Sequence, residues 1–112
     1  MLRPRAGDGT SIFLALWEYE VKPGCEERFE KVYGPAGDWA MLFRCDSNYQ
    51  ETCLLRDPFR PAIYLTLDFW KSRQAHEEFL AAHRAEYKKL DALAEGLTIN
   101  ERRVGDYESI AP

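Results

Sequence analysis

Between residues 12 and 21 the chain alternates. Phe13, Ala15, Trp17, Tyr19 and Val21 fall on one face, and Ile12, Leu14, Leu16, Glu18 and Glu20 on the other. Period-two patterning of this length predicts a β-strand. Both faces begin apolar, so both are expected to be at least partly covered. Lys22-Pro23-Gly24 ends the strand, because proline offers no backbone donor and glycine frees the backbone.

A helix is predicted next, from about Cys25 to Tyr33, with Glu26 and Glu27 at its positive end. Gly34-Pro35-Ala36-Gly37 breaks it, and Asp38 is the expected N-cap of a short helix over Trp39 to Arg44. Asp46-Ser47-Asn48 reads as a turn, Tyr49 to Arg56 as a second strand, and Asp57-Pro58 with Arg60-Pro61 as the connection onward. The third strand, Ala62 to Trp70, sets Ile63, Leu65, Leu67 and Phe69 opposite Tyr64, Thr66, Asp68 and Trp70. Ser72 is the expected cap of one long helix running to about Glu95, with Gly96 as its stop. Its buried stripe is predicted to be Phe79, Ala82, His83, Tyr87, Leu90, Ala94 and Leu97. Thr98 to Tyr107 is a last, more polar strand, expected near a sheet edge.

The order β-α-β-β-α-β, with a broken first helix, predicts an α+β ferredoxin-like fold. Four antiparallel strands form one sheet with the helices on one side. The second sheet face then carries Ile12, Leu14 and Leu16. An apolar face left in water is a liability, and a second copy of the chain would cover it, so a homodimer is expected. One domain over residues 11–108 is predicted, flanked by tails at 1–10 and 109–112.

Charge narrows the functional classes. Fifteen basic against nineteen acidic residues leave a net charge of −4, and no basic stripe is present to neutralise phosphates. Nucleic acid is therefore not an expected partner. Three cysteines, Cys25, Cys45 and Cys53, without C-x-x-C spacing fit reduced thiols in the cytoplasm better than a disulfide framework. The apolar run Ile12 to Trp17 is too short for an export signal or a membrane span, so a cytoplasmic location without membrane contact is expected.

Several segments resemble the antibiotic biosynthesis monooxygenase family of dimeric α/β-barrel proteins. They are Val21-Lys22-Pro23-Gly24 followed by Glu26, Glu27 and Phe29; Tyr33 to Ala40 with Leu42-Phe43-Arg44; Leu54-Leu55-Arg56-Asp57; and Phe69-Trp70-Lys71-Ser72. The resemblance covers residues 12 to 107. It implies two sheets facing each other across a dimer and a cavity in each subunit between sheet and helices. Members include cofactor-independent oxygenases of aromatic polyketides and quinol-like compounds, in which the pocket orients the substrate and stabilises its anion. Others degrade haem through an Asn on the first strand and a Trp and a His on the second helix. Here residues 12–21 contain no Asn and Phe79 stands in the place of that Trp, which leaves Ala81-Ala82-His83 as a partial match and disfavours haem. No cofactor is expected.

By this reading the candidate base is His83, on the predicted stripe with Phe79 and Tyr87 and facing the cavity; an imidazole is the side-chain type suited to taking a phenolic proton. A core histidine bonded to a neighbour explains the same pattern and is the commoner case. Tyr19 is the candidate orienting donor. Trp17, Tyr33, Trp39, Phe43, Phe79 and Tyr87 are candidate walls for an aromatic small molecule, although aromatic stripes are more often plain core. His76 lies two turns before His83, about 10.5 Å along a helix axis and too far for both to hold one metal. Glu18, Tyr64, Thr66 and Asp68 are expected toward the barrel interior or dimer seam, with Arg102 or Arg103 as partners for the carboxylates. Two functions remain open: a cofactor-independent oxygenase, or a ligand-binding or stress-related dimer without catalysis. A dimer with a filled cavity is a third case.

Overall fold

In the computed structural model, residues 12–110 are described. Strand β1 (Phe13–Val21) leads through a turn to α1 (Glu26–Tyr33) and α2 (Asp38–Phe43). Strands β2 (Tyr49–Arg56) and β3 (Ile63–Trp70) follow, then α3 (Arg73–Ala82), α4 (Arg84–Ala94), a single 3₁₀ turn (Glu95–Leu97) and β4 (Thr98–Glu108). The strands form one antiparallel sheet in the order β2-β3-β1-β4, so the polar β4 is an edge, as expected. The predicted tail at 1–10 lies outside the described residues.

Alternation decides the layers. Phe13, Ala15, Tyr19 and Val21 are buried on one face of β1, beneath Phe29 and Tyr33 of α1, Trp39, Ala40 and Phe43 of α2, and Phe79 of α3. Trp70, Tyr64, Phe13, Phe29 and Phe79 are fully enclosed, and each contributes on the order of 2 kcal/mol by leaving water. On the opposite face Ile12, Leu67 and Phe69 form a second cluster with the partly buried Leu14, Leu16, Leu65 and Cys53. Within the described residues, the helices of the first cluster all lie on the other side.

The register corrects one expectation. β1 pairs Ala15 with Asp68, Trp17 with Thr66 and Tyr19 with Tyr64. Directly opposed residues share a face. Tyr64, Thr66 and Asp68 therefore point toward the helices rather than toward a dimer seam, and the aliphatic set Ile63, Leu65, Leu67 and Phe69 takes the outer face. Glu18 alone of that group lies outward, 3.3 Å from the Arg102 guanidinium.

Three helix boundaries also differ. Gly37, not Asp38, is the N-cap of α2, and the backbone is so close there that a Cβ would stand 2.4 Å from the carbonyl oxygens of Lys31 and Val32. The long helix is two helices. His83 leaves helical geometry at φ −116° and ψ 31°, serving as C-cap of α3 and N-cap of α4. Neither proline nor glycine marks the break. Of the predicted stripe, Phe79, Ala94 and Leu97 are buried, whereas Ala82 is exposed and His83, Tyr87 and Leu90 are half-buried. Gly96 does not stop the helix in a left-handed turn; the 3₁₀ turn carries the chain on until Leu97 enters the core and its carbonyl accepts from the Lys22 amide at 2.9 Å. Ser72 caps as expected, its Oγ accepting from the Ala75 amide at 3.0 Å.

Candidate active site

A cavity of about 220 Å³ lies between the sheet and the helices, lined by Trp17, Tyr19, Tyr33, Trp39, Phe43, Thr52, Thr66, Asp68, Tyr87, Asp91 and Glu101. β1 supplies Trp17 and Tyr19 by its alternation, α1 and α2 supply Tyr33, Trp39 and Phe43, and α4 supplies Tyr87 and Asp91. A 150 Å³ apolar cavity holds benzene, so this one has room for a substituted single ring. It adjoins a wider groove of about 520 Å³ over α3, α4 and β4 that shares Trp17, Tyr87 and Asp91 and adds His76, Arg84, Lys88 and Arg103.

The polar corner of the cavity comes from β2 and β3. Thr52 Oγ1 donates to Asp68 Oδ1 at 2.6 Å, and the Tyr49 hydroxyl lies 2.7 Å from the same Thr52 oxygen. Burial raises the Asp68 carboxyl from 3.8 to about 6, partly offset by the Thr52 hydrogen bond. Asp68 is half-buried and borders the cavity. Desolvation also pushes the Tyr19 and Tyr33 phenols well above their ordinary 10, and Tyr87 to about 12. All three thus remain protonated donors near neutrality.

Two more donors of the cavity wall lack partners among the described residues. Trp39 Nε1 and Thr66 Oγ1 are buried and unpaired among the described residues, and both belong to cavity-lining side chains. Thr66 Oγ1 is near enough to Tyr19, and Trp39 Nε1 to Tyr33, to oppose the rise of those phenols, yet neither completes a well-formed hydrogen bond. A buried orphan costs about 1–3 kcal/mol. Two of them around one void, beside a carboxylate, leave hydrogen-bonding capacity open toward the cavity.

Of the predicted site residues, Trp17, Tyr19, Tyr33, Trp39, Phe43 and Tyr87 border the cavity. Phe79 does not; it is solid core against Phe43, Trp70 and His83. His83 does not border it either. Its ring stacks on Phe79 at 4.7 Å and is held by Glu86 and Cys45 at the junction of α3 and α4. His76 is buried between Phe13 and Trp70, and desolvation lowers its affinity for a proton. No group of three metal-ligating side chains occurs among the described residues.

Sequence reasoning missed Asp68, Thr66, Thr52, Asp91 and Glu101 as wall residues. One signal for Asp68 was present: it shares strand parity with Tyr64 and Trp70, the bulky aromatic set, and not with the aliphatic set around it. The register with β1 is what turns that parity into a direction.

No protein-family model matches the sequence, and no curated protein matches it. Solved structures do match. A variant of SnoaB, a cofactor-independent oxygenase from Streptomyces nogalater, superposes with a TM-score of 0.68 at 17% identity over 91% of this chain and 93% of that one. A protein described as a putative antibiotic biosynthesis monooxygenase from Bordetella bronchiseptica gives 0.65 at 16% over 91% and 98%. Another so described, from Nitrosomonas europaea, gives 0.67 at 13% over 90% and 92%. The fold expected from the sequence is thus found in proteins of the family it resembles, and at these identities the likeness is one of fold.

Proposed function

We propose that this chain, which has the fold of the antibiotic biosynthesis monooxygenases, is a cofactor-independent monooxygenase of an aromatic or quinol-type small molecule, with Asp68 as its base. The observation that carries the reading is the cavity's polar corner. A carboxylate titrating at about 6 sits in an aromatic slot with two unpaired donors. A base whose pKa lies near working pH is the efficient one.

In this reading a phenolic hydroxyl gives its proton to Asp68. The Trp39 N–H and Thr66 O–H, with the protonated Tyr19, hold the resulting anion. The electron-rich ring passes one electron to dioxygen, and the radical pair recombines at ring carbon as a peroxide anion, which takes the proton back from Asp68 to become a hydroperoxide. Loss of water then leaves a carbonyl, so that phenol and O₂ become quinone and water. Among the described residues His83 stands outside the cavity wall, so the geometry favours Asp68 over it as base.

We also propose that the chain works as a homodimer sealed through the face bearing Leu14, Leu16, Leu65, Leu67 and Phe69. Support comes from the apolar character of that face and from the helices lying on the other.

Oxygen uptake by purified protein with a panel of substituted phenols and hydroquinones tests the reading, with ligand titration followed by quenching of the cavity tryptophans. Uptake that depends on protein and falls in Asp68→Asn supports it. Quenching without uptake, across the panel, replaces the enzyme with a ligand-binding protein.

A further inference from the structure

Away from the cavity, three side chains meet at the break between α3 and α4. Cys45, just beyond the end of α2, is exposed, and its Sγ lies 3.6 Å from His83 Nε2. The other ring nitrogen, Nδ1, lies 3.0 Å from Glu86 Oε2. A carboxylate can only accept, so Glu86 holds the proton on Nδ1 and leaves the Nε2 lone pair facing the thiol. The ring is fixed from a third side by stacking on Phe79. Nucleophile, base and orienting carboxylate stand in the order that activates a cysteine.

We propose that Cys45 is a covalent capture site for soft carbon electrophiles, the α,β-unsaturated carbonyl compounds, with His83 as its proton acceptor and Glu86 as the positioning residue. The thiol proton moves to His83 Nε2 and the sulfur lone pair forms a bond to the β-carbon. The carbon–carbon π pair shifts to the carbonyl as an enolate, which takes the proton back from the imidazolium. The net change is addition of S–H across the double bond, and no oxidant or leaving group is required.

The local backbone favours this chemistry over acyl transfer. The amides of Cys45, Asp46 and Asn48 are already engaged by the Leu42 carbonyl, the Phe43 carbonyl and Asp46 Oδ1, so they form no oxyanion hole. An enolate takes its proton from His83 and needs none. The other two cysteines provide an internal comparison: both are half-buried, and desolvation raises the Cys53 thiol. This inference stands on its own residues and does not depend on the oxygenase reading.

The test is N-ethylmaleimide labelling of the full chain at limiting reagent, with each cysteine quantified by peptide mass spectrometry at pH 6.5 and pH 9.5. At pH 6.5 Cys45 is expected to react first, and His83→Gln to slow it at least about tenfold. Glu86→Gln should slow it less, in the same direction. At pH 9.5, above the ordinary thiol range, the wild type and both variants should converge, showing that access to the sulfur is unchanged. Equal rates in wild type and His83→Gln at pH 6.5 would overturn the proposal. Equal slowing at both pH values would overturn it too, since the histidine would then only shape the loop.

Discussion

Asp68 and Thr66 stand on the same face of β3, two residues apart, and among the described residues only one of them is satisfied: Asp68 Oδ1 accepts from Thr52 while Thr66 Oγ1 has no well-formed hydrogen bond. That asymmetry gives the two residues opposite expected responses to mutation.

Asp68→Asn should lower turnover about 100-fold or more and remove the rise of activity with pH through about 6. Stability should move the other way. The folded carboxyl keeps its proton up to about 6, whereas its ordinary value is 3.8. Between those values the folded state binds the more protons, so stability falls as pH rises through the window. Above it the ionised side chain costs up to about 3 kcal/mol. The asparagine variant should therefore melt higher than wild type at pH 8 and alike at pH 3.5. A melting point at pH 8 no higher than wild type would argue against a desolvated carboxylate.

Thr66→Val removes an unpaired buried hydroxyl. It should raise stability by about 1 kcal/mol in urea melts and weaken binding of a phenolic ligand about two- to tenfold. Loss of stability with unchanged affinity would mean that the hydroxyl is satisfied in solution and has no part in the site.

Leu65→Lys places a charge in the outer apolar face while the helix-side core is left intact. Native mass spectrometry should find two chains for the wild type and one for the variant, with matching circular dichroism. A wild-type monomer would leave the outer face without its proposed cover.

Two glycines should differ in cost. Gly24 has φ +88° with nothing near an added Cβ, so alanine there costs about 1–2 kcal/mol of left-handed backbone. At Gly37 the added Cβ meets main-chain oxygens that cannot swing aside. Gly37→Ala should be the more damaging in thermal melts, and it should also loosen the start of α2, which carries Trp39 into the cavity.

Strands proved more legible than helix ends. β2 runs over Tyr49–Arg56 as its pattern predicts, because proline, aspartate and polar turn residues bound it on both sides. The aromatic wall could be read from the alternation of β1 and the short helices of the first connection. The α3–α4 break could not. His83 is an ordinary helix residue by propensity, and one of the contacts that accompany its departure comes from Cys45, 38 positions away. Asp68 was visible but misdirected, since parity within one strand names two faces without saying which of them meets the helices. Another long-range effect shows in β4. A bulge opposite Leu16 and Trp17 sets Arg103 and Asp106 on one side of the strand, so residues three apart form an ion pair that regular alternation forbids.

The break at His83 has a kinetic consequence. It leaves α4 as a separate segment whose one buried residue is Ala94, near its far end. This lightly anchored segment supplies Tyr87 and Asp91, the side chains common to the cavity and the outer groove, along with Trp17 of β1. Segments with few buried contacts open at the low end of a protein's free-energy range. Amide exchange should accordingly be faster along Arg84–Leu93 than in β1 or β3. The residence time of anything inside would then be set by how often that roof lifts rather than by how tightly the floor grips.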